Sequence, residues 1–223
     1  MPELLRPSTL AVCLLVLATA TVAASDTAIR AAPEDGGPRH WEVQASLNLR
    51  ELATTTAPVV TTYPVGTILT NMGCSSFENR TWCYVQEFGG GPVGYVAAEF
   101  LAGAVSPDGS VATGPDNSAL RAGQGDFDAT GKLPCAAEPA APMQQCDFGV
   151  SRAGGGYATV VVTLPGATDR KRAIFFQRGI AISADTSEAD YSGKFRVERE
   201  GDMSRIHVGK ERYEIVDAVV LGG

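Results

Sequence analysis

The chain has 223 residues, of which 44% are hydrophobic, and a formal net charge of −7 at pH 7. The negative charge argues against nucleic acid and anionic lipid as partners, because both are polyanions. The chain contains two histidines and five cysteines, so it has few of the side chains that a zinc site uses.

The first 24 residues have the features of a secretory signal peptide. Arg6 supplies a positive charge, an apolar run extends from Leu10 to Val22, and small residues follow up to Ala24. This run is too short and too rich in small residues for a membrane span. We therefore predict a periplasmic or secreted protein with no stable membrane insertion after signal cleavage, and an unstructured spacer over residues 25–40.

Four cysteines remain after the predicted signal peptide and lie in two close pairs: Cys74, Cys83, Cys135 and Cys146. An even number of cysteines in an oxidising compartment predicts disulfides, and local closure favours Cys74–Cys83 and Cys135–Cys146. The first pair also fits a hairpin, because strands that begin at Val65 and Thr81 would place the two cysteines opposite each other. Neither pair has CxxC spacing, so we predict no metal and no cofactor.

Short runs of β-branched and aromatic residues, broken by Gly, Pro and Asn, occupy residues 41–101. Their order is Leu47-Asn48-Leu49-Arg50, Pro58-Val59-Val60, Gly66-Thr67-Ile68-Leu69, Trp82-Cys83-Tyr84-Val85, Gly94-Tyr95-Val96 and Glu99-Phe100-Leu101. This ordered set resembles a bacterial SH3-type (SH3b) domain and covers a little over a quarter of the chain. The resemblance implies an SH3-like barrel over residues 41–102 that binds peptidoglycan or its stem peptide.

Residues 103–125 are rich in Gly, Ser, Pro, Asp and Ala without an apolar period, which predicts a flexible or loosely ordered linker. Alternating patterns then return, beginning with the apolar positions Ala158, Val160, Val162 and Leu164. Further strands are predicted over 172–176, 179–183, 194–199, 204–208, 212–216 and 218–221. The chain is therefore predicted to be mainly β, with a small SH3-like barrel and a second antiparallel β-domain, a barrel or a sandwich, over 126–223.

Three of the late strands have one apolar and one polar face, which is typical of an antiparallel meander with one wet face. The apolar face comprises Phe195, Val197, Ile206, Val208, Tyr213 and Ile215, and the polar face Lys194, Arg196, Glu198, Arg205, His207 and Glu214.

Catalytic chemistry has little support in the sequence. A cysteine peptidase needs a free cysteine, a zinc amidase needs more histidines or acidic ligands, and the L,D-transpeptidase signatures are missing. Ser183 or Ser204 with His207 and Asp217 lacks a nucleophile elbow, so His207 is predicted to be an exposed histidine. The carboxylate pairs Asp126/Asp128 and Glu188/Asp190 are predicted to be solvated turn residues.

The run Arg170-Lys171-Arg172, with Arg178 and Arg196, is either a basic patch or a solvated hairpin end. We predict that the protein is not an enzyme.

A candidate binding surface follows from alternation along one strand. If Cys83 and Val85 face the core, then Trp82, Tyr84 and Gln86 face outward, with Tyr95 beside them. Tyr63, Asn48 and Arg50 are predicted to complete the surface, where Arg50 can pair with a peptide carboxylate. The alternative is that the aromatic residues cap the barrel or pack against the second domain.

Two functions remain as hypotheses. The first is an exported, non-enzymatic binding protein that contacts peptidoglycan through the SH3b-like module. The second is a periplasmic inhibitor or a subunit that binds another cell-envelope protein through its C-terminal domain. Ala189-Asp190-Tyr191-Ser192-Gly193 is distantly similar to the exposed loop of periplasmic lysozyme inhibitors of the C-type-inhibitor class, which supports the second hypothesis.

Overall fold

A computed structural model describes residues 32–164, 166, 170–187 and 194–222. In these residues the chain is mainly β and forms two antiparallel sheets, as predicted. The predicted signal peptide, residues 25–31 of the predicted spacer and the loop at 189–193 lie outside the described residues. None of the described helices has both the length and the apolar character that crossing a membrane requires.

The N-terminal sheet contains seven strands among the described residues, in the spatial order β3-β2-β6-β5-β4-β1-β7. They are β1 (His40–Val43), β2 (Leu47–Arg50), β3 (Val59–Tyr63), β4 (Ile68–Phe77), β5 (Arg80–Glu87), β6 (Val93–Ala97) and β7 (Leu101–Gly103). Strand β1 pairs with both β4 and β7, which brings the end of this segment back to its beginning.

The core of the N-terminal domain is built from alternate residues of these strands. Trp41, Leu49, Leu69, Val85 and Val96 are each at most 1% exposed. Gly94 lies where β6 crosses β2, and a Cβ at this position would come within 2.6 Å of the Arg50 carbonyl oxygen. The close approach of the two backbones therefore requires glycine here.

The segment 103–125, predicted to be a flexible or loosely ordered linker, contains secondary structure, and the prediction is wrong where it does. Val105 forms a β-bridge with Val111, Pro38 forms one with Thr113, and a short helix α1 follows at Ser118–Gly123. The spacer prediction is also wrong for residues 32–40, which contain a 3-10 turn at Pro33–Asp35 and the start of β1. The composition of both segments is typical of loops, but their backbone groups find partners in each other.

Arg39 joins this segment to the C-terminal domain. Its guanidinium donates to the carbonyl oxygens of Gly114 at 2.7 Å, Pro115 at 2.9 Å and Ala153 at 3.1 Å. It also lies 4.4 Å from the ring centroid of Tyr157, whose hydroxyl hydrogen-bonds to Nδ1 of His40. These three residues are buried, so the two domains meet through a desolvated polar cluster.

The C-terminal sheet contains eight strands among the described residues, in the order β12-β11-β10-β9-β8-β15-β14-β13. They are β8 (Ala129–Ala136), β9 (Gln144–Arg152), β10 (Ala158–Thr163), β11 (Lys171–Gln177), β12 (Ile180–Ala184), β13 (Phe195–Glu200), β14 (Met203–Val208) and β15 (Glu211–Val216). The edge strand β12 lies beside β13 and β14, so the sheet curls into a nearly closed barrel.

Five of the predicted C-terminal strands are confirmed as β11 to β15, within one or two residues at each end. The predicted inward residues are also confirmed, since Val160, Ile206 and Tyr213 are each at most 1% exposed. Strands β8 and β9 were missed. The predicted strand at 218–221 is wrong, because Asp217–Leu221 forms a second short helix, α2, that buries Val220 against the barrel.

Both predicted disulfides are confirmed. Cys74 and Cys83 are direct cross-strand partners in the β4–β5 hairpin. Cys135 and Cys146 join β8 to β9. Two disulfides fit a protein of an oxidising, non-cytoplasmic compartment.

Candidate functional site

Two tyrosines form the centre of the candidate site on the N-terminal domain. Tyr84 on β5 and Tyr95 on β6 are cross-strand partners, and their ring centroids are 5.0 Å apart with an interplanar angle of 44°. Cys83 and Val85 point into the core and are fully buried, so Tyr84 points outward, as alternation predicts. Both tyrosines are half-buried. The pair presents ring faces and hydroxyl groups to a ligand at once.

Arg50 and Asn48 lie on the same face of the sheet. Arg50 is the cross-strand partner of Tyr95, and it donates to the carbonyl oxygen of Ala57 at 2.7 Å through one terminal nitrogen. This bond holds one end of the guanidinium at the Ala57 carbonyl group. Asn48 is exposed and accepts a hydrogen bond from Thr62 at 2.7 Å. The structure therefore brings together Asn48, Arg50, Tyr84 and Tyr95, which we call the tyrosine surface.

Trp82 lies on the outward side of β5, two residues before Tyr84, but it is only 3% exposed. The Arg80 guanidinium covers it, 5.1 Å from the ring centroid, and also lies 6.0 Å from the Phe100 ring. The prediction that Trp82 is an exposed contact is therefore wrong. Its side chain instead lines a small hollow of about 120 Å³ together with Asn48, Arg50, Arg80 and Phe100. Asn48 and Arg50 belong both to this hollow and to the tyrosine surface.

Tyr63 does not contribute to the tyrosine surface, contrary to the prediction. Its cross-strand partner is Leu47, whose side chain points into the core, so the pairing register turns Tyr63 inward as well. It is 3% exposed, and its hydroxyl has no hydrogen-bond partner among the described residues. Burial, with Glu87 nearby, raises the pKa of this phenol. Tyr63 is a core residue.

Arg80 and Phe100 are site residues that the sequence reasoning did not include. Arg80 forms an ion pair with Glu99, and its Nε lies 2.8 Å from a carboxylate oxygen of that residue. Arg80 could have been predicted from the sequence, because it precedes Trp82 by two positions and so lies on the same side of β5. Phe100 reaches the site from a 3-10 turn at Ala98–Phe100, which alternation along a strand does not detect.

The serine, histidine and aspartate considered as a catalytic triad are not arranged for catalysis. Ser204 accepts a hydrogen bond from Arg199 at 2.8 Å, and Asp217 forms an ion pair with the same guanidinium at 2.7 Å. The cross-strand neighbours of His207 are Arg196 and Arg212, so the imidazole lies between two cations. Ser204 and Asp217 are therefore both bonded to Arg199, whereas a catalytic triad would bond them to the histidine.

Asp126 and Asp128 do not form an isolated carboxylate pair. Both accept from Arg121, each at 2.7 Å, which lowers the pKa of each carboxyl through hydrogen bonds to the guanidinium. Both are exposed residues of the loop after α1, as predicted, and Arg121 bridges them. Within the described ranges no group of three or more His, Cys, Asp or Glu side chains is placed to hold a metal ion.

The basic run at 170–172 does not act as one patch. Arg172 is 4% exposed and forms a bidentate pair with Glu211 inside the barrel, at 2.8 and 2.9 Å. Arg170 reaches the same carboxylate at 3.2 Å. Arg178 donates to the carbonyl oxygen of Val105 between the two domains. Lys171 alone of the run is exposed.

Compared with known proteins, the chain matches no family model, no curated protein and no solved structure. The SH3b resemblance therefore stays a prediction.

Proposed function

We propose that the protein is an exported, non-enzymatic binding protein whose N-terminal β-domain contacts the stem peptide of peptidoglycan. The observation that carries this proposal is the tyrosine surface, where two tyrosine rings lie in contact and the cross-strand partner of Tyr95 is an arginine. Tyrosine faces suit the aliphatic and amide groups of a short peptide, and guanidinium groups bind carboxylates through paired hydrogen bonds.

The donors of Arg50 support a carboxylate ligand. One terminal nitrogen bonds Ala57, while the other guanidinium N–H groups have no partner among the residues that the structure describes. Stem peptides carry free carboxylates, so a peptide lying across Tyr84 and Tyr95 would place one within reach of this side chain. Arg80 is already paired with Glu99, so we expect it to shape the surface and not to bind the carboxylate of a ligand.

Retention on insoluble peptidoglycan tests the proposal. The purified protein is mixed with peptidoglycan sacculi, sedimented and quantified, alongside the Tyr84→Ala/Tyr95→Ala double variant. We expect the native protein to be retained and the double variant to bind about thirtyfold more weakly, because each of the two rings contributes roughly 1 kcal/mol. Phe77→Ala is the matched control, since Phe77 is an exposed aromatic residue at the far end of the β4–β5 hairpin.

Soluble stem peptide separates peptide binding from sugar binding. Displacement of the protein by the peptide, and weaker displacement for Arg50→Gln, would support the contact with Arg50. Equal retention of the native protein and the double variant, or no retention of either, would overturn the proposal. Trp82→Ala is unsuitable for this test, because truncating a buried tryptophan destabilises the fold by roughly 3–5 kcal/mol.

A further inference from the structure

A second concave surface lies on the outside of the C-terminal barrel. Two hollows of about 590 and 390 Å³ are both lined by Phe127, Val161 and Lys171. Since they share these residues they adjoin, and we call the combined depression the outer groove. Its size is in the range of sites that hold small ligands or short peptide segments.

The floor of the outer groove is unusually apolar for the outside of a barrel. Val160 and Val162 point into the core, so Val161 between them points outward. Cross-strand pairing between β10 and β11 places Ala173 beside Val161 and Phe175 beside Thr159 on the same outer side. An outward row of valine, alanine and phenylalanine is typical of a surface that is covered by a partner.

One wall of the groove is Phe127, which is held in place from both sides. Asp126 and Asp128 are tied to Arg121, and the amide of Asp128 donates to the Val150 carbonyl oxygen at 2.8 Å. The phenyl ring lies over Gly149, where a Cβ would come within 2.4 Å of the ring. Glycine at this position lets the ring settle on the sheet, so the wall is preformed.

The groove carries charges of both signs. Lys171, whose cross-strand partner is Thr163, lines both hollows. Asp185 lines only the larger hollow, where its carboxylate accepts a hydrogen bond from the Ser187 amide at 2.9 Å. The neighbouring cation Lys132 is paired with Asp147 at 2.6 Å, and Arg170 and Arg172 are paired with Glu211. Lys171 has no ion-pair partner among the described residues, so it complements an anionic group on a ligand.

We propose that the outer groove binds an extended peptide segment of about four residues, with apolar side chains on the floor and a carboxylate at Lys171. Phe175 and Lys171 are four positions apart on β11, which corresponds to about 13 Å of extended chain. Thr130, Thr163 and Gln124 on the lining can bond peptide groups, which a hydrocarbon chain would leave unused. This inference is independent of the function proposed for the tyrosine surface.

Selection from a random heptapeptide library displayed on phage tests the inference. The native protein is the bait, and the Val161→Arg variant, which places a long charged side chain on the floor, is used for counter-selection. This step removes peptides that bind the tyrosine surface. We expect enriched peptides that combine apolar residues with Asp, Glu or a free carboxyl terminus.

Affinities of the enriched peptides then identify the contact. Lys171→Gln should weaken binding about fivefold, the loss of roughly 1 kcal/mol for an ion pair of this exposure. Lys194→Gln removes the same charge from an exposed position before β13 and should leave the affinity unchanged. Thermal unfolding of each variant verifies that the fold is retained. Failure to enrich peptides, enriched peptides without a carboxylate, or equal affinities for Lys171→Gln and the native protein would overturn the proposal. Laurate, a fatty acid, is the probe for a hydrocarbon ligand. Binding of laurate in place of peptide would also overturn the proposal.

Discussion

Arg172 and Glu211 lie inside the C-terminal barrel with side chains that are 5% and 4% exposed. The guanidinium bonds both carboxylate oxygens, and the Tyr213 hydroxyl donates to one of them at 2.7 Å. Burial by itself raises the pKa of the Glu211 carboxyl, but the hydrogen bonds from Arg172 and Tyr213 outweigh burial and lower it. The pair also links β11 to β15 across the barrel interior, so each charge depends on the other.

Replacing only one partner of this pair should be costly. We expect Arg172→Met to reduce the free energy of unfolding by about 3 kcal/mol, because it removes the bidentate partner of a buried carboxylate and leaves only the half-buried Arg170 at 3.2 Å. Urea unfolding monitored by circular dichroism measures the change. Lys132→Met is the control, since Lys132 and Asp147 form an exposed pair whose loss should cost less than about 1 kcal/mol. Equal losses in the two variants would contradict this account.

The β4–β5 hairpin shows how a local element combines a tight turn with a covalent link. Glu78 and Asn79 have φ values of 49° and 65°, the left-handed geometry that matches the twist of a two-residue hairpin turn. The turn sets the register, and the register places Cys74 directly opposite Cys83. The disulfide therefore closes a short segment of the sheet and does not impose a new path on the chain.

Removing this disulfide should lower stability without changing the fold. The two cysteines have a sequence separation of nine, for which the chain-entropy model gives a loss of about 2.5 kcal/mol in Cys74→Ala/Cys83→Ala. Thermal and urea unfolding of the double variant measure the loss. Adding a reductant should cost the native protein more stability than it costs the variant, which keeps only Cys135–Cys146. A variant as stable as the native protein would show that the hairpin is already fixed by its turn.

Helix α2 illustrates a limit of pattern analysis at the same scale. Ala218 to Leu221 is a short apolar run, and such runs fit a strand or a helix equally well. Arg152 from β9 stabilises the helix, since its Nε donates to the Val219 carbonyl oxygen at 2.9 Å near the helix end. A carbonyl group that the short helix leaves unpaired is thereby satisfied from a distant strand.

The two domains form one molecule through the cluster of Arg39, His40 and Tyr157. His40 packs edge-on against Phe88, with ring centroids 5.0 Å apart. Burial, together with the nearby cations Arg178 and Arg39, lowers the pKa of His40 from 6.5 to about 4. Burial also raises the pKa of Tyr157 to about 12. Both side chains are therefore neutral at pH 7, and the contact between the domains depends on His40 staying unprotonated.

Stability should fall as the pH is lowered through this window. Unfolded His40 takes up a proton near pH 6.5, whereas folded His40 does so only near pH 4, so protonation favours unfolding between these values. From this group we expect a loss of about 2 kcal/mol between pH 7 and pH 5. Urea unfolding at both values, compared with His40→Gln, isolates the contribution. If the variant loses as much stability as the native protein, His40 is not responsible.

The β class, both disulfides and the alternation that turns Tyr84 outward could be predicted from the sequence. These are local properties, because strand periodicity and cysteine spacing act over a few residues. The folded chain adds that Glu99 holds Arg80 where it covers Trp82, that Tyr63 turns inward opposite Leu47, and that Arg39 bonds the backbone at Gly114. Each of these contacts involves a partner from another element of the fold. Such partners leave no periodic signal in the segment that they bury or order.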